Sequence, residues 1–486
     1  MIRRLASMAA LGALAAALGG CTIVGEDYDR PELALPESHA VALEPGEARS
    51  AANTAWFELY DDPELRPLIE EALEDNLDLQ QAFARIEEVR ARLLVARSGF
   101  FPRIDGSLST GAQPQADSND GVFTLGLVLG WEIDLFGKIR RQNEAARAQL
   151  LASEASRAAI VTTIVQQVAA TWLTIRELQA EEAILARNIE IQSRALDLVE
   201  KLHRQGVVSD SEVQQATAQL AGTRSLLPQV VQARLVSENL LTVLLGRYPS
   251  QIELSPFDAE RQAQGIGAYF LPPGVPSELL ARRPDVIAAE QQLAATTALE
   301  GVAIANRFPF PTIGLGSLLG RTSTELGSLF DDDASSSLNS WGPEVRLPIL
   351  NFGRDLGNVR VARAQVEQAL IGYRRAVQGA LFDVNSAVYA YRAGEAQIEP
   401  LADQLAAAQR TLFLQDLRFR GGVVSYISVL DAQRLVLSSE LSLARARLQR
   451  DLAFVDLYRA LGGGWSPEDT PDIAAAGDAE DRDAEP

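Results

Sequence analysis

The chain has 486 residues, with 44 Lys and Arg against 65 Asp and Glu, two His and a single Cys, for a formal net charge of −21. Such acidity argues against a nucleic-acid partner, because phosphates need a basic surface. Beyond the N-terminal segment no run of eighteen or more apolar residues occurs, so no transmembrane helix is expected and any membrane crossing must use β-strands.

The N-terminus reads as a targeting segment and is set aside from the fold. Arg3 and Arg4 precede an apolar run, Leu5 to Leu18, too short to span a bilayer. The run closes with "LGGC" at Cys21, the only cysteine. This ending resembles a bacterial lipobox, which implies a signal peptide over 1–20, cleavage before Cys21, and lipid on its thiol and new amino group. The alternative is an ordinary signal peptide followed by an incidental thiol. By the same analogy, Thr22 in place of Asp favours the outer membrane. Losing Arg3 and Arg4 leaves 42 basic against 65 acidic side chains, a net charge of −23. A lipidated N-terminal segment is expected over 21–63. At the other end, Ser466 to Pro486 holds eight acids, one Arg and no aromatic residue, and 465–486 reads as a solvated, disordered tail.

Between these ends the chain is written twice. At an offset of 216 residues, "FGK" at Phe136 meets "FGR" at Phe352, and "ARAQL" at Ala146 meets "ARAQV" at Ala362. At the same offset, "RQGVVSDSEVQQA" from Arg204 meets "RGGVVSYISVLDA" from Arg420. Upstream the offset is 209, with Phe101-Pro102 meeting Phe310-Pro311, so seven extra residues lie between Pro311 and Phe352. The repeats are taken as 64–250 and 276–464, joined by a linker over 251–275.

Each copy predicts helix, two strands, very long helix, break and helix. Pro67 to Ser98 is rich in helix formers and ends at Gly99 and Pro102. Strands follow at about 103–112 and 122–135. In the first, Ile104 and Leu108 oppose Asp105, Ser107 and Ser109. In the second, "VFTLGLVLGWEIDLF", Phe123, Leu125, Leu127, Leu129, Trp131 and Ile133 alternate with Thr124, Gly126, Gly130, Glu132 and Asp134, Val128 being the exception. Period two at this length suits a barrel strand with lipid outside and water inside. A half-buried soluble sheet is the alternative. After Gly137 no proline or glycine occurs as far as His203, which as one helix would be about 100 Å long and must lie alongside others. Gly206 breaks it, Ser209 is a candidate N-cap, and a return helix runs to Leu245 with Pro228 as a kink.

The second copy places strands at about 311–320 and 338–350, where Trp341, Val345, Leu347 and Ile349 oppose Gly342, Glu344 and Arg346. Its helices are expected over Gly353 to Phe419 and Ser425 to Leu461, with kinks at Gly394 and Pro400. The hairpin loops "QPQADSNDG" and "RTSTELGSLFDDDASSS" are polar, and the longer one is expected to hold the seven extra residues. Four strands cannot close a barrel, and open edges are not tolerated in lipid. Two chains would give eight strands and a filled interior, so a conducting pore needs three or more copies.

The stretch "LPPGVPSELLARRPDVIAAEQQLAATTALEGVAIANRFPFP" (Leu271 to Pro311) carries a family likeness. Through Pro276 to Leu280, Arg283-Pro284-Asp285-Val286, Glu290 and Phe310-Pro311, with "NFGR" at Asn351 and "LDAQR" at Leu430, the chain resembles the TolC-like outer-membrane efflux proteins. It is most similar to their lipoprotein branch, and the likeness runs from about Tyr28 to Gly462. The resemblance implies a mainly α fold with a transmembrane β-barrel. A homotrimer would form a 12-stranded barrel continuous with a 12-helix α-barrel in the periplasm. It also implies a passive exit duct for small toxic compounds or drugs, surrounded by outer-membrane lipid. A periplasmic adaptor would link the duct to an inner-membrane pump of the RND type.

In that family the adaptor docks on the tips, here Arg204, Gly206, Val207 and Ser209 with Arg420, Gly422, Val423 and Ser425. A turn and an N-cap alone could explain the Gly and Ser. The resemblance also places a gate on the second return helix, with Asp431 at the aspartate-ring position, while Ser428 stands where some members carry a second aspartate. Ile427, one turn before Asp431, could add an apolar constriction. A salt bridge to Arg434 or a neighbouring helix is the alternative role for Asp431. No catalytic centre, cofactor or metal is expected: His39 and His203 have no carboxylate or thiol at metal spacing, and "GLGSLLG" has the wrong spacing for a dinucleotide loop. A duct for proteins or peptides, and a lipid-anchored coiled-coil scaffold without a pore, remain open.

Overall fold

The computed structural model describes residues 23–36, 63–112, 121–250, 252, 254, 255, 282–307, 310–333 and 335–463. Cys21, the signal segment, His39, most of the linker and the acidic tail lie outside them. The elements are α1 (Leu65–Asp75), α2 (Leu77–Ser98), β1 (Arg103–Ala112), β2 (Gly121–Ile133), α3 (Lys138–Arg204) and α4 (Asp210–Leu244). The second copy supplies α5 (Pro284–Ala305), β3 (Thr312–Ser323), a 3-10 turn (Gly327–Phe330), β4 (Ser336–Arg346), α6 (Arg354–Arg420) and α7 (Tyr426–Ala460). From α2 and α5 onward the two copies match, apart from the 3-10 turn: α3 and α6 each have 67 residues, and α4 and α7 each have 35. Helix α4 continues through Pro228, and α6 continues through Gly394 and Pro400.

One expected helix is two. The run from Pro67 to Ser98 divides at Asn76, whose ψ of 129° leaves the helical region. The Asn76 side chain supplies the reason. Its Oδ1 accepts from the backbone N–H of Asp78 (2.9 Å) and Leu79 (3.2 Å), capping α2, while Nδ2 donates to the carbonyl of Leu244 at 2.8 Å.

The chain divides into two compact units. The first comprises Met1–Leu33, Ala84–Ala155 and Ala288–Arg375 and contains the sheet. Its four strands are antiparallel in the order β1-β2-β3-β4. The ladder sorts residues onto two faces. One face carries Ile104, Leu108, Phe123, Leu125, Leu127, Leu129, Trp131, Ile133, Ile313, Leu315, Leu319, Trp341 and Val345. The other carries Asp105, Ser107, Ser109, Thr124, Glu132, Glu344, Arg346 and seven glycines, with Val122, Val128, Leu318 and Leu338 as its apolar members. Strand β4 ends at Arg346, short of the 350 expected, because Arg346 pairs with Thr312, the first residue of β3. The extra residues fall between β3 and β4 as expected. Relative to the first copy they extend the end of β3 by two residues and the start of β4 by one, and they add four to the loop that holds the 3-10 turn.

An N-terminal strap is also built into this unit. Val24 N–H donates to the carbonyl of Phe136. Arg141, with a side chain 4% exposed, donates to the carbonyls of Val24 and Gly25 and pairs with Asp27 at 2.7 Å. Further along, Arg30 makes a two-pronged bond to buried Glu290 (2.7 and 2.6 Å), which also accepts from the Tyr28 hydroxyl.

The second unit comprises Ala34–Phe83, Ser156–Ile287 and Ala376–Pro486. Its main core gathers Leu65 and Ile69 of α1, Ile164 to Ile175 of α3, Leu241 to Leu245 at the end of α4, Val384 to Val388 of α6, and Phe454 to Leu461 of α7. Helix α3 contains an 18-residue stretch that is apolar enough, by length and composition, to cross a bilayer. Here the apolar stretch serves protein packing: Val168, Ala169 and Ile175 are fully buried in that core.

Candidate functional site: the paired helix turns

The two "GVVS" stretches are built alike, and their backbone explains most of the residues. Helix α3 ends in a Schellman motif, with Gly206 N–H donating to His203 (2.8 Å) and Val207 N–H to Leu202 (2.9 Å). Helix α6 repeats it, with Gly422 N–H to Phe419 (2.9 Å) and Val423 N–H to Arg418 (2.8 Å). The residue after each helix must be left-handed, at φ +75° for Gly206 and +69° for Gly422, which glycine alone adopts freely. Ser209 and Ser425 then take extended N-cap conformations before α4 and α7. The first valine of each pair, Val207 and Val423, points to solvent at 66% and 68% exposure, while Val208 and Val424 turn inward. Arg204 and Arg420 are exposed, and Arg420 pairs with Asp416 at 2.8 Å. The turn itself accounts for both Gly, and Ser209 bonds Glu212 at the start of α4. It does not account for the exposed Val207, Val423 and Arg204.

The two turns are held to one another. Tyr426, Val429 and Leu430 of α7 pack with Val199 of α3 and Ala216 of α4, and Phe419 lies 5.1 Å from Tyr426, ring to ring. Glu212 ties the backbones. Its Oε2 accepts from Ser209 N–H (2.9 Å) and Oγ (3.2 Å), and its Oε1 accepts from Tyr426 N–H at 3.1 Å. The Ser425 side chain makes no cap bond, so Glu212 caps both return helices. Sequence reasoning passed over this residue, although Ser-x-x-Glu is a readable capping signal.

Ile427 and Asp431 lie four residues apart on α7, and both are exposed. Asp431 pairs with Arg434 at 3.2 Å, and Arg434 reaches Gln219 of α4 at 3.1 Å. The alternative role for Asp431 is thus realised in the structure. Both partners are about 60% exposed, so the pair contributes little stability and leaves the carboxylate accessible. Among the described residues no three His, Cys, Asp or Glu side chains gather as a metal site.

Two charge clusters built around buried residues support the second unit. Arg283 is 5% exposed at its side chain and donates to Asp285 (2.7 Å), Asp383 (3.0 Å) and the carbonyl of Ala460 (3.2 Å). Burial pushes Asp285 up, but the bonds and charge of Arg283 outweigh it and hold the carboxyl below its ordinary value. Glu177 and Glu181 are buried together, with Arg445 donating to Glu181 at 2.6 Å. Burial, then the charge and hydrogen bond of Glu181, push Glu177 up to about 8.

A family model described as outer membrane efflux protein matches residues 68–247 and again 275–463. The chain belongs to the outer membrane efflux protein family. This outer membrane efflux protein is 30% identical to the probable outer membrane lipoprotein SilC of Salmonella typhimurium, across 92% of this chain and 96% of that one. It is likewise 30% identical to the cation efflux system protein CusC of Escherichia coli O6:H1, across 93% and 97%. The solved outer-membrane channel OprN superposes with a TM-score of 0.81 at 32% identity, covering 92% of this chain and all of that one. Outer membrane efflux proteins are channels, and the mainly helical fold with its small antiparallel sheet is theirs. Two motifs that carried the family likeness now have physical roles: Asp285 pairs with buried Arg283, and Glu290 anchors the strap.

Proposed function

We propose that this protein is the passive outer-membrane exit duct of a tripartite efflux pump, carrying small toxic compounds or drugs. Three copies share one 12-stranded barrel. A lipid on Cys21 anchors each, and a periplasmic adaptor docks on the turns at Arg204–Ser209 and Arg420–Ser425 and links the duct to an inner-membrane, RND-type pump. The observation that carries this reading is the sheet: four strands, one face apolar and exposed, the other polar and rich in glycine, with β1 and β4 as open edges. Open edges cannot persist in lipid, so further copies must complete the barrel. The chemistry of the tips fits docking, since Val207 and Val423 present apolar side chains that neither turn requires. Ile427 and Asp431 form the gate, where three aspartates about one axis repel or share protons.

Single-channel conductance in planar bilayers tests this, comparing the native protein with Asp431→Ala. Discrete channels, nearly closed in the native protein and wider in the variant, are expected. Equal conductance would remove Asp431 from the gate, and folded trimers that never conduct in either form would refute the duct.

A further inference from the structure

We infer that the free edge of β4 pairs with the free edge of β1 in a second copy of this chain in one particular antiparallel register, with Ile349 opposite Ile104 and Phe352 against Phe101. This rests on the shared-barrel reading above and adds the residue-by-residue register of the junction.

The duplication acts as a ruler. A β1–β2 pair becomes a β3–β4 pair when 209 is added to its first member and 216 to its second. Arg103–Gly130 becomes Thr312–Arg346, and Thr110–Phe123 becomes Leu319–Asn339. The two offsets, read from helix and turn motifs, therefore reproduce an observed ladder. The same rule converts the β2–β3 ladder into one not present in a single chain. There Ile133 faces Ile313, Leu129 faces Ser317 and Leu125 faces Arg321. Advancing β2 by 216 and moving β3 back by 209 yields Ile349–Ile104, Val345–Leu108 and Trp341–Ala112. Strands β1 and β4 lie at opposite edges of the sheet, so these pairs require two copies.

Three independent features agree with this register. First, Ile349, Ile104, Val345 and Leu108 are 80%, 63%, 63% and 61% exposed, and the pairing sets apolar residues opposite apolar residues on the apolar face. A slip of one residue would set Ile349 opposite Arg103 or Asp105 and move a whole strand to the wrong face. Second, the apolar alternation runs on through Leu347 and Ile349, beyond the end of β4 at Arg346. With β1 of a second copy alongside, the ladder continues to Leu350 opposite Arg103. Third, Phe136 packs edge-to-face on Phe310, with ring centres 5.1 Å apart. The same offsets turn this pair into Phe352 and Phe101, which are 92% and 70% exposed in the single chain. Phe352 is also the one non-glycine among the described residues with a left-handed backbone, at φ +50°.

Cysteine cross-linking of the full-length protein in membranes tests the register. Ile349→Cys combined with Ile104→Cys is oxidised with copper phenanthroline and run without reductant. Directly opposed residues sit about 4.5–5.5 Å apart at Cα, within disulfide reach. Ile349→Cys with Leu108→Cys is displaced by four residues, about 13 Å. Val345→Cys with Leu108→Cys is a second in-register pair should the first fold poorly, and each single variant controls for Cys21. Covalent dimers and trimers are expected from both in-register pairs, at least tenfold above the displaced pair. Equal or stronger cross-linking of the displaced pair overturns the register. So does absence of cross-links in both in-register pairs while light scattering gives trimers, an outcome that leaves the shared barrel standing. Folded monomers without cross-links would overturn the shared barrel as well.

Discussion

Replacing Glu212 with alanine should loosen both helix turns at once, although the residue belongs to only one of them. The carboxylate accepts two bonds from Ser209 and one from the Tyr426 amide, 214 residues away. Loss of an N-terminal cap costs about 0.5–2 kcal/mol. A bond to a charged acceptor contributes about 1.5–3 kcal/mol, and water recovers part of it at a half-buried site. A net cost of about 2 kcal/mol follows, shared between the first turns of α4 and α7, or roughly a 30-fold change in local opening. Hydrogen exchange read by mass spectrometry on peptides covering 206–214 and 423–431 measures each turn separately. Faster exchange is expected in both peptides for Glu212→Ala, and an intermediate effect for Glu212→Gln, which keeps one acceptor oxygen. Loss of protection confined to 206–214 would refute the coupling, because the Tyr426 amide would then not depend on Glu212.

Two further outcomes concern the second unit. Arg283→Met removes the shared partner of Asp285 and Asp383, whose side chains are 45% and 28% exposed, and leaves Arg459 (3.5 Å) as the remaining counterion of Asp383. Because water can hydrate both carboxylates, a loss of about 1.5–3 kcal/mol is expected in denaturant unfolding, and a loss below about 0.5 kcal/mol would show that the cluster is not what holds α5. The Glu177 carboxyl is raised from an ordinary 4.5 to about 8, so the folded state keeps a proton that the unfolded chain releases. Stability should therefore fall as pH rises from about 5 to 8, by at most about 1.4 kcal/mol per pH unit, and Glu177→Gln should flatten that slope. Parallel slopes for the two proteins in thermal unfolding at pH 5, 6.5 and 8 would refute the assignment.

Local chemistry was legible in the residues alone. The alternation from Phe123 to Ile133 depends only on neighbours two apart, and its faces are those of the observed ladder. Gly206 and Gly422 stand where the backbone needs positive φ, which is a property of the turn itself. What escaped depends on distant partners. Asn76 sits in a run of good helix formers, and its cap is completed by a carbonyl on α4. Arg141 gives no hint in its own neighbourhood of meeting the carbonyls of Val24 and Gly25. The Ser209–Glu212 spacing was readable, but the bond to Tyr426 exists only because the two copies pack tip to tip. The expected strand end at 350 marks the opposite case: the periodicity continues where the single chain offers no partner.

The unequal hairpins have a practical corollary. Eight residues join β1 to β2, whereas twelve join β3 to β4, yet the pairing scheme of the two hairpins is the same. Closing twelve residues in place of eight costs only about 0.4 kcal/mol. Strand alignment is set by which side chains meet lipid and which do not, and the connection follows passively. Past the buried Leu329, the exposed stretch Asp331–Asp333 is thus a natural insertion point, where an affinity tag or a recognition peptide can be grafted while every lipid-facing side chain keeps its place.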